Sequence, residues 1–147
     1  TARPQDVLAG YWFRDYAVGS GGGDFLRVAL DLGAGELQIA VWLSPGGAPH
    51  ARLQAALAEE GGLGEALRAL TPPPVLRLWS AADERQIRAE ELDPALRGAV
   101  DWTSYTVAVQ VARPLSDLAG EGLPERLAGW TQELLDVLAP VLADVVH

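Results

Sequence analysis

The chain has 147 residues, about half of them apolar, and contains no cysteine. That describes one folded domain over residues 1–147 with a core of its own, and it excludes disulfides, thiolate metal sites and cysteine nucleophiles. Twenty acidic residues face eleven basic ones, all of them arginine, for a net charge of −9, which argues against direct binding to nucleic acid because phosphates reward a basic face.

The start, Thr1-Ala2-Arg3-Pro4-Gln5-Asp6, lacks the basic head and apolar stretch of a signal peptide. No apolar run approaches the roughly 20 residues of a membrane span. The expected setting is therefore cytoplasmic. Pro4 and Asp6 suit a helix start, and Leu8, Trp12 and Tyr16 share a helical face. The alternation of Trp12, Arg14, Tyr16 and Val18 with Tyr11, Phe13, Asp15 and Ala17 suits a strand. The reading is a short helix up to Gly10, then a strand over residues 11–18. Gly19-Ser20-Gly21-Gly22-Gly23 follows. A phosphate-binding loop needs a helix after its glycines and usually a lysine. Here the next segment has a period of two and no lysine exists in the chain, so the glycines read as a hairpin connection.

Residues 25–32, FLRVALDL, place Leu26, Val28, Leu30 and Leu32 on one face. Residues 37–43, LQIAVWL, do the same with Leu37, Ile39, Val41 and Leu43. Opposed residues of an antiparallel pair share a face. Pairing Leu32 with Leu37 therefore predicts a four-residue loop and puts Arg27 opposite Trp42, its guanidinium on the indole. After the turn Ser44-Pro45-Gly46-Gly47, HARLQAALAEE over residues 50–60 reads as a helix, with His50 solvated at its start. A second short helix aligns Leu63, Leu67 and Leu70 and is ended by Pro72-Pro73-Pro74.

VLRLWS at 75–80 reads as a strand. For the next segment two alternatives stand: a helix opened by a Ser80/Asp83 capping box, or a short strand around Gln86 to Ala89. Residues 103–112 form a strand with Tyr105, Val107, Val109 and Val111 on one face. The last 24 residues read as an amphipathic helix with Pro124 in its first turn. Its stripe is Leu127, Trp130, Leu134, Leu138, Val141 and Val145, and a kink is expected at Pro140. The class is α+β, a mostly antiparallel β-sheet with helices packed on it and a long C-terminal amphipathic helix.

No constellation carries chemistry, so no catalytic, cofactor-binding or metal-ligating residue is assigned and no cofactor is expected. His50 and His147 lack metal spacing, and no Gly-x-Ser-x-Gly motif accompanies them. Asp31 and Glu36-x-Gln38 resemble a strand-borne Mg²⁺ cluster only loosely, and the polar side of a strand pair explains them. Glu59-Glu60 and Glu90-Glu91 are neighbours in sequence and do not face each other on a helix. What remains are surfaces: Tyr11, Trp12, Trp42, Trp79 and Trp130 as aromatic candidates, and Leu138, Val141 and Val145 as the part of the helix stripe left for a second subunit.

The element order, LRVALDL followed by LQIAVWL, the TVAVQV strand and the LAGWTQELLDVLAPVL helix together resemble the YbjN family, which in turn is similar in fold to type III secretion chaperones. That resemblance spans most of the chain and implies a non-enzymatic, chaperone-like or adaptor homodimer that binds partner proteins. The acidity suits a basic client such as a nucleic-acid-binding protein. The competing expectation is a small-ligand-binding domain or an enzyme with an unrecognised carboxylate site.

Overall fold

The computed structural model describes residues 11–18, 23–58, 62–88 and 104–142. The expected helix over residues 4–10 and the loop residues 19–22 lie outside them. Six strands form one antiparallel sheet: β1 Tyr11–Ala17, β2 Phe25–Asp31, β3 Glu36–Leu43, β4 Val75–Trp79, β5 Glu84–Arg88 and β6 Thr106–Pro114. Their spatial order is β1-β2-β3-β6-β4-β5, every neighbour antiparallel. Among the described residues three α-helices accompany the sheet in an α+β fold: α1 Ala48–Ala58, α2 Gly62–Arg68 and the 15-residue α3 Leu123–Val137.

The period-two pattern builds the core directly. Leu26, Leu37, Ile39, Val41, Leu43, Val107, Val109, Leu76, Leu78 and Ile87 all point to one side of the sheet and are buried. Leu53 and Leu57 of α1, Leu67 of α2, and Leu134 and Leu138 at the end of α3 close over them. Burying each such side chain stabilises the fold by roughly 1.5–3 kcal/mol relative to exposure.

The β2–β3 hairpin keeps its expected faces and its four-residue loop, but its register is shifted by two residues. Leu30 pairs with Leu37, Val28 with Ile39 and Leu26 with Val41, so Arg27 lies opposite Ala40 and Phe25 opposite Trp42. The turn chemistry decides this. The Asp31 carboxylate accepts the Ala34 amide at 3.0 Å, and Gly35 closes the loop at φ 70°, a conformation that favours glycine. Leu32, expected as the last strand residue, is left 63% exposed in the loop. A shift of two preserves parity, which is why the core survives it.

The Ser80/Asp83 signal belongs to a hairpin. The Ser80 hydroxyl accepts the Ala82 and Asp83 amides, and the Ser80 amide donates to the Asp83 carbonyl at 2.9 Å, joining β4 to β5. The strand alternative for this segment is the one adopted.

Helix α3 ends where a kink was expected. Pro140 offers no N–H to the Asp136 carbonyl, and the Ala139 amide takes that acceptor instead, at 3.3 Å. The chain then turns back, so that Val141 is buried and its carbonyl accepts the Arg52 Nε–H at 2.7 Å. Val145 lies outside the described residues. His50 is a second correction. It is only 3% exposed, and its Nε2 contacts the Tyr105 carbonyl at 2.8 Å. The carbonyl can only accept, so Nε2 carries the proton. Position 50 shares a helical face with Leu53 and Leu57, and that face is the core.

Candidate functional site

The other side of the sheet carries Tyr11, Phe13 and Asp15 from β1, Phe25 and Arg27 from β2, Gln38 and Trp42 from β3, Gln110 from β6, and Arg77 and Trp79 from β4. The described helices place their buried leucines against the opposite side, so among the described residues this face is built by strands alone. Ala29, Ala40 and Ala108 form its floor, buried to 0–3% beneath larger neighbours.

The small floor lets the large side chains lie flat. Trp42 is opposed by Ala108 on β6, and on the far side of that strand Trp79 is opposed by Thr106. Over the small side chains of Ala108 and Thr106 the two indoles lean across β6 and stack, with centroids 4.4 Å apart and planes 16° from parallel. Phe25, directly opposite Trp42, continues the stack at 5.6 Å and 11°. Arg77 caps one end, 4.3 Å from the Trp79 ring. Arg27 sits 4.0 Å over Phe13 and 5.1 Å from Trp42. The contact expected between Arg27 and Trp42 therefore exists, on the diagonal and not directly across. Offset aromatic pairs and arginine–ring contacts each contribute on the order of 1 kcal/mol beyond area burial.

Both cations are held by the chain's own carboxylates. Asp15, opposite Arg27, grips it with two bonds of 2.8 and 3.1 Å, and this hydrogen bonding raises the guanidinium's pKa against the opposing effect of burial. Arg77 donates to Glu84 at 2.9 Å and to Gln110 at 3.3 Å. The surface is thus aromatic and arginine-bearing, with each arginine paired to an acid. Two shallow depressions mark it. One of about 460 Å³ is lined by Trp42, Trp79, Arg27, Arg77, Gln38 and Asp31, among others. A second of about 380 Å³ adjoins it through Asp31, Gln38 and Arg77. Trp42 Nε1 and Arg77 Nε are buried and find no acceptor within the described residues.

A different surface lies at the sheet's end. Trp12, Arg14 and Tyr16 point to the helix side of β1, where they line an open groove of about 540 Å³ with Leu26, Val28 and Leu127 of the β2–α3 region. Trp12 stays 41% exposed and Tyr16 48%.

The acid–base groups of the described residues are engaged locally. Asp31, opposite Glu36, spends an oxygen on its own turn, and among the described residues no three His, Asp or Glu side chains converge on a point that would hold a metal. Apart from Arg27, the shifted groups cluster around the β4–β5 turn. Asp83 accepts the Tyr105 hydroxyl at 2.7 Å, the Arg85 guanidinium at 3.1 Å and the Ser80 hydroxyl at 3.1 Å. These bonds, that from Tyr105 foremost, lower the carboxylate's pKa, and the bond to Asp83 raises that of the phenol. The network locks a turn.

Of the sequence candidates, Tyr11, Trp42 and Trp79 meet on the strand-built face, while Trp12 lies across the sheet from them. Trp130 is half-buried beside Arg113 at 4.3 Å and Arg126 at 5.8 Å. Leu138 and Val141, expected at a subunit interface, are 0% and 1% exposed inside the chain's own core and offer no surface. Phe13, Phe25 and Arg77 were not among the candidates. The i, i+2 pairs Phe25-x-Arg27 and Arg77-x-Trp79 carried the signal, since strand parity puts both members on one face. No family model, curated protein or solved structure matches the chain. No helix among the described residues is long and apolar enough to cross a membrane.

Proposed function

We propose that this chain is a non-enzymatic protein-binding module, chaperone-like or an adaptor, working in the cytoplasm as a homodimer. One observation carries the reading: a sheet face over which no described helix lies presents stacked Phe25, Trp42 and Trp79 framed by Arg27 and Arg77. Tryptophan, tyrosine and arginine dominate the residues that carry binding energy at protein interfaces. A flat arrangement held by its own stacking and ion pairs loses little conformational freedom on docking. The net charge of −9 adds long-range attraction for a basic partner, for which a nucleic-acid-binding protein is the fitting class.

The test is affinity capture from lysate at low and moderate salt, with the wild-type chain beside Trp42→Ala and Arg27→Ala variants whose folding is checked by circular dichroism. A basic partner held at low salt, weakened at moderate salt and lost from both variants supports the reading. Capture indifferent to both substitutions, or none at all, overturns it.

A second reading, a small-ligand-binding domain, is favoured by the two orphaned donors, Trp42 Nε1 and Arg77 Nε, beside the 460 Å³ depression. It calls for a planar ligand bearing oxygen acceptors. A thermal-shift screen of aromatic carboxylates against wild type and Trp42→Phe decides it, since a ligand bound to the folded chain raises the melting temperature further as its concentration rises.

A further inference from the structure

An antiparallel sheet of this order ends in two edges, β1 and β5, and an edge exposes a row of backbone N–H and C=O groups that only another extended chain can pair. The two edges are treated differently. β5 is five residues long and charged at Glu84, Arg85 and Arg88, the usual guard against edge pairing. β1 is seven residues long, in register with β2 over its whole length, and free of proline. No described residue pairs with its outer side. Of the three large apolar side chains left exposed among the described residues, it carries two, Trp12 and Tyr16.

Resting on the homodimer reading above, we infer that β1 is where two copies of this chain join, strand to strand and antiparallel, about a two-fold axis through Phe13. Charge argues for a second copy as the occupant. Two chains of net charge −9 repel over most of their surfaces. Residues 11–17 carry one arginine and one aspartate, and the aspartate is already bound to Arg27. This edge is therefore a place where like chains can meet without setting acid against acid.

Symmetry and charge then choose the register. Opposed residues must share a face, so even numbers oppose even and odd oppose odd. An axis at Arg14, the middle of the strand, sets Arg14 against Arg14. An axis at Asp15 sets Asp15 against Asp15. An axis at Phe13 sets Phe13 against Phe13, Tyr11 against Asp15, and Trp12 against Arg14 twice. Arg14 has no ion-pair partner among the described residues, and Trp12 is exposed beside it on the same face. The Phe13 axis gives each guanidinium an indole ring and each indole a cover. The join makes one continuous sheet by pairing residues 11–15 of the two β1 strands and leaves the aromatic stack of each copy open.

The chain's lack of cysteine makes the test clean, because a single introduced thiol can form a disulfide only between copies. Light scattering on the wild type at micromolar concentration reports the dimer. Phe13→Cys brings two thiols face to face across the axis and cross-links readily under mild oxidant, whereas Arg14→Cys and Asp15→Cys do not. Trp12→Arg sets two arginines against each other on each side of the axis and weakens the dimer at least about tenfold, although it lowers the net negative charge of the chain. A monomeric wild type overturns the homodimer reading itself. A dimeric wild type that Trp12→Arg does not weaken, or that cross-links at Arg14 in preference to Phe13, overturns the β1 join and leaves the homodimer standing.

Discussion

His50 opens α1 after a Pro-Gly-rich turn, a setting that reads as solvent, yet its ring lies in the core with Nε2–H on the Tyr105 carbonyl. The deciding signal was its spacing to Leu53 and Leu57, not the turn before it. His50→Ala removes packed volume and orphans a buried carbonyl, and is expected to cost about 2 kcal/mol in urea unfolding. Asp83 and Tyr105 set the pH limits of the same region. The folded state lowers the pKa of Asp83, so its stabilisation is present above the ordinary carboxylate value and fades as pH falls through the lower folded one. Tyr105 is shifted upward, so its share is complete below the ordinary phenol value and fades as pH rises through the folded one. Urea midpoints measured against pH should show Asp83→Asn flattening the acid limb and Tyr105→Phe flattening the alkaline limb.

Among the elements, β1 to β4 and β6 were legible from their period of two and α2 from its leucine spacing, while the segment of β5 left helix and strand both open. Register was not legible. Leucine or valine fills every second position of β2, so its pairing with β3 at either register keeps apolar against apolar, and only the loop distinguishes them. The Asp31 side chain and the positive φ of Gly35 make that choice. Gly35→Ala meets no neighbouring atom, so its cost is backbone strain alone, about 1 kcal/mol. Gly33→Ala, at an ordinary φ and with Asp31 Oδ1 at 3.4 Å, should cost less in the same urea titration. The length of α3 escaped the periodicity for a related reason. The stripe continues through Leu138 and Val141 because both are buried, but Pro140 lets the second arrive there on a turn and not on a helix. Burial repeats at helical spacing even where the helix has stopped.

At the scale of the molecule, the sequence separated two aromatic-bearing faces but not which of them a helix covers. Trp42 and Trp79 fall on alternate strand positions whether or not something packs above them, and it is the structure that places α1–α3 on the leucine side. Of the site's arginines, Arg27 was legible from the expected strand pairing with Trp42, whereas Arg77 was hidden by its charge, which reads as solvated surface until strand parity puts it beside a ring. Trp42→Ala, which removes the middle of the stack, is expected to cost about 2 kcal/mol of stability and to abolish partner capture. Salt should act on the two proposed associations with opposite signs. Raising it from about 20 to 200 mM screens the mutual repulsion of two chains of charge −9 and tightens the homodimer, while it weakens capture of a basic partner; sedimentation and capture series at both salts check the pair. The strand order carries a consequence of its own for biosynthesis. β6 is the last strand to be made and lies in the interior of the sheet, between β3 and β4. Until residues 106–114 leave the ribosome, the meander β1–β2–β3 and the hairpin β4–β5 are two fragments, each with a bare hydrophobic border and nothing to join them. A nascent chain halted before that point should gather chaperones or aggregate, and one released just after it should assemble in a single late step.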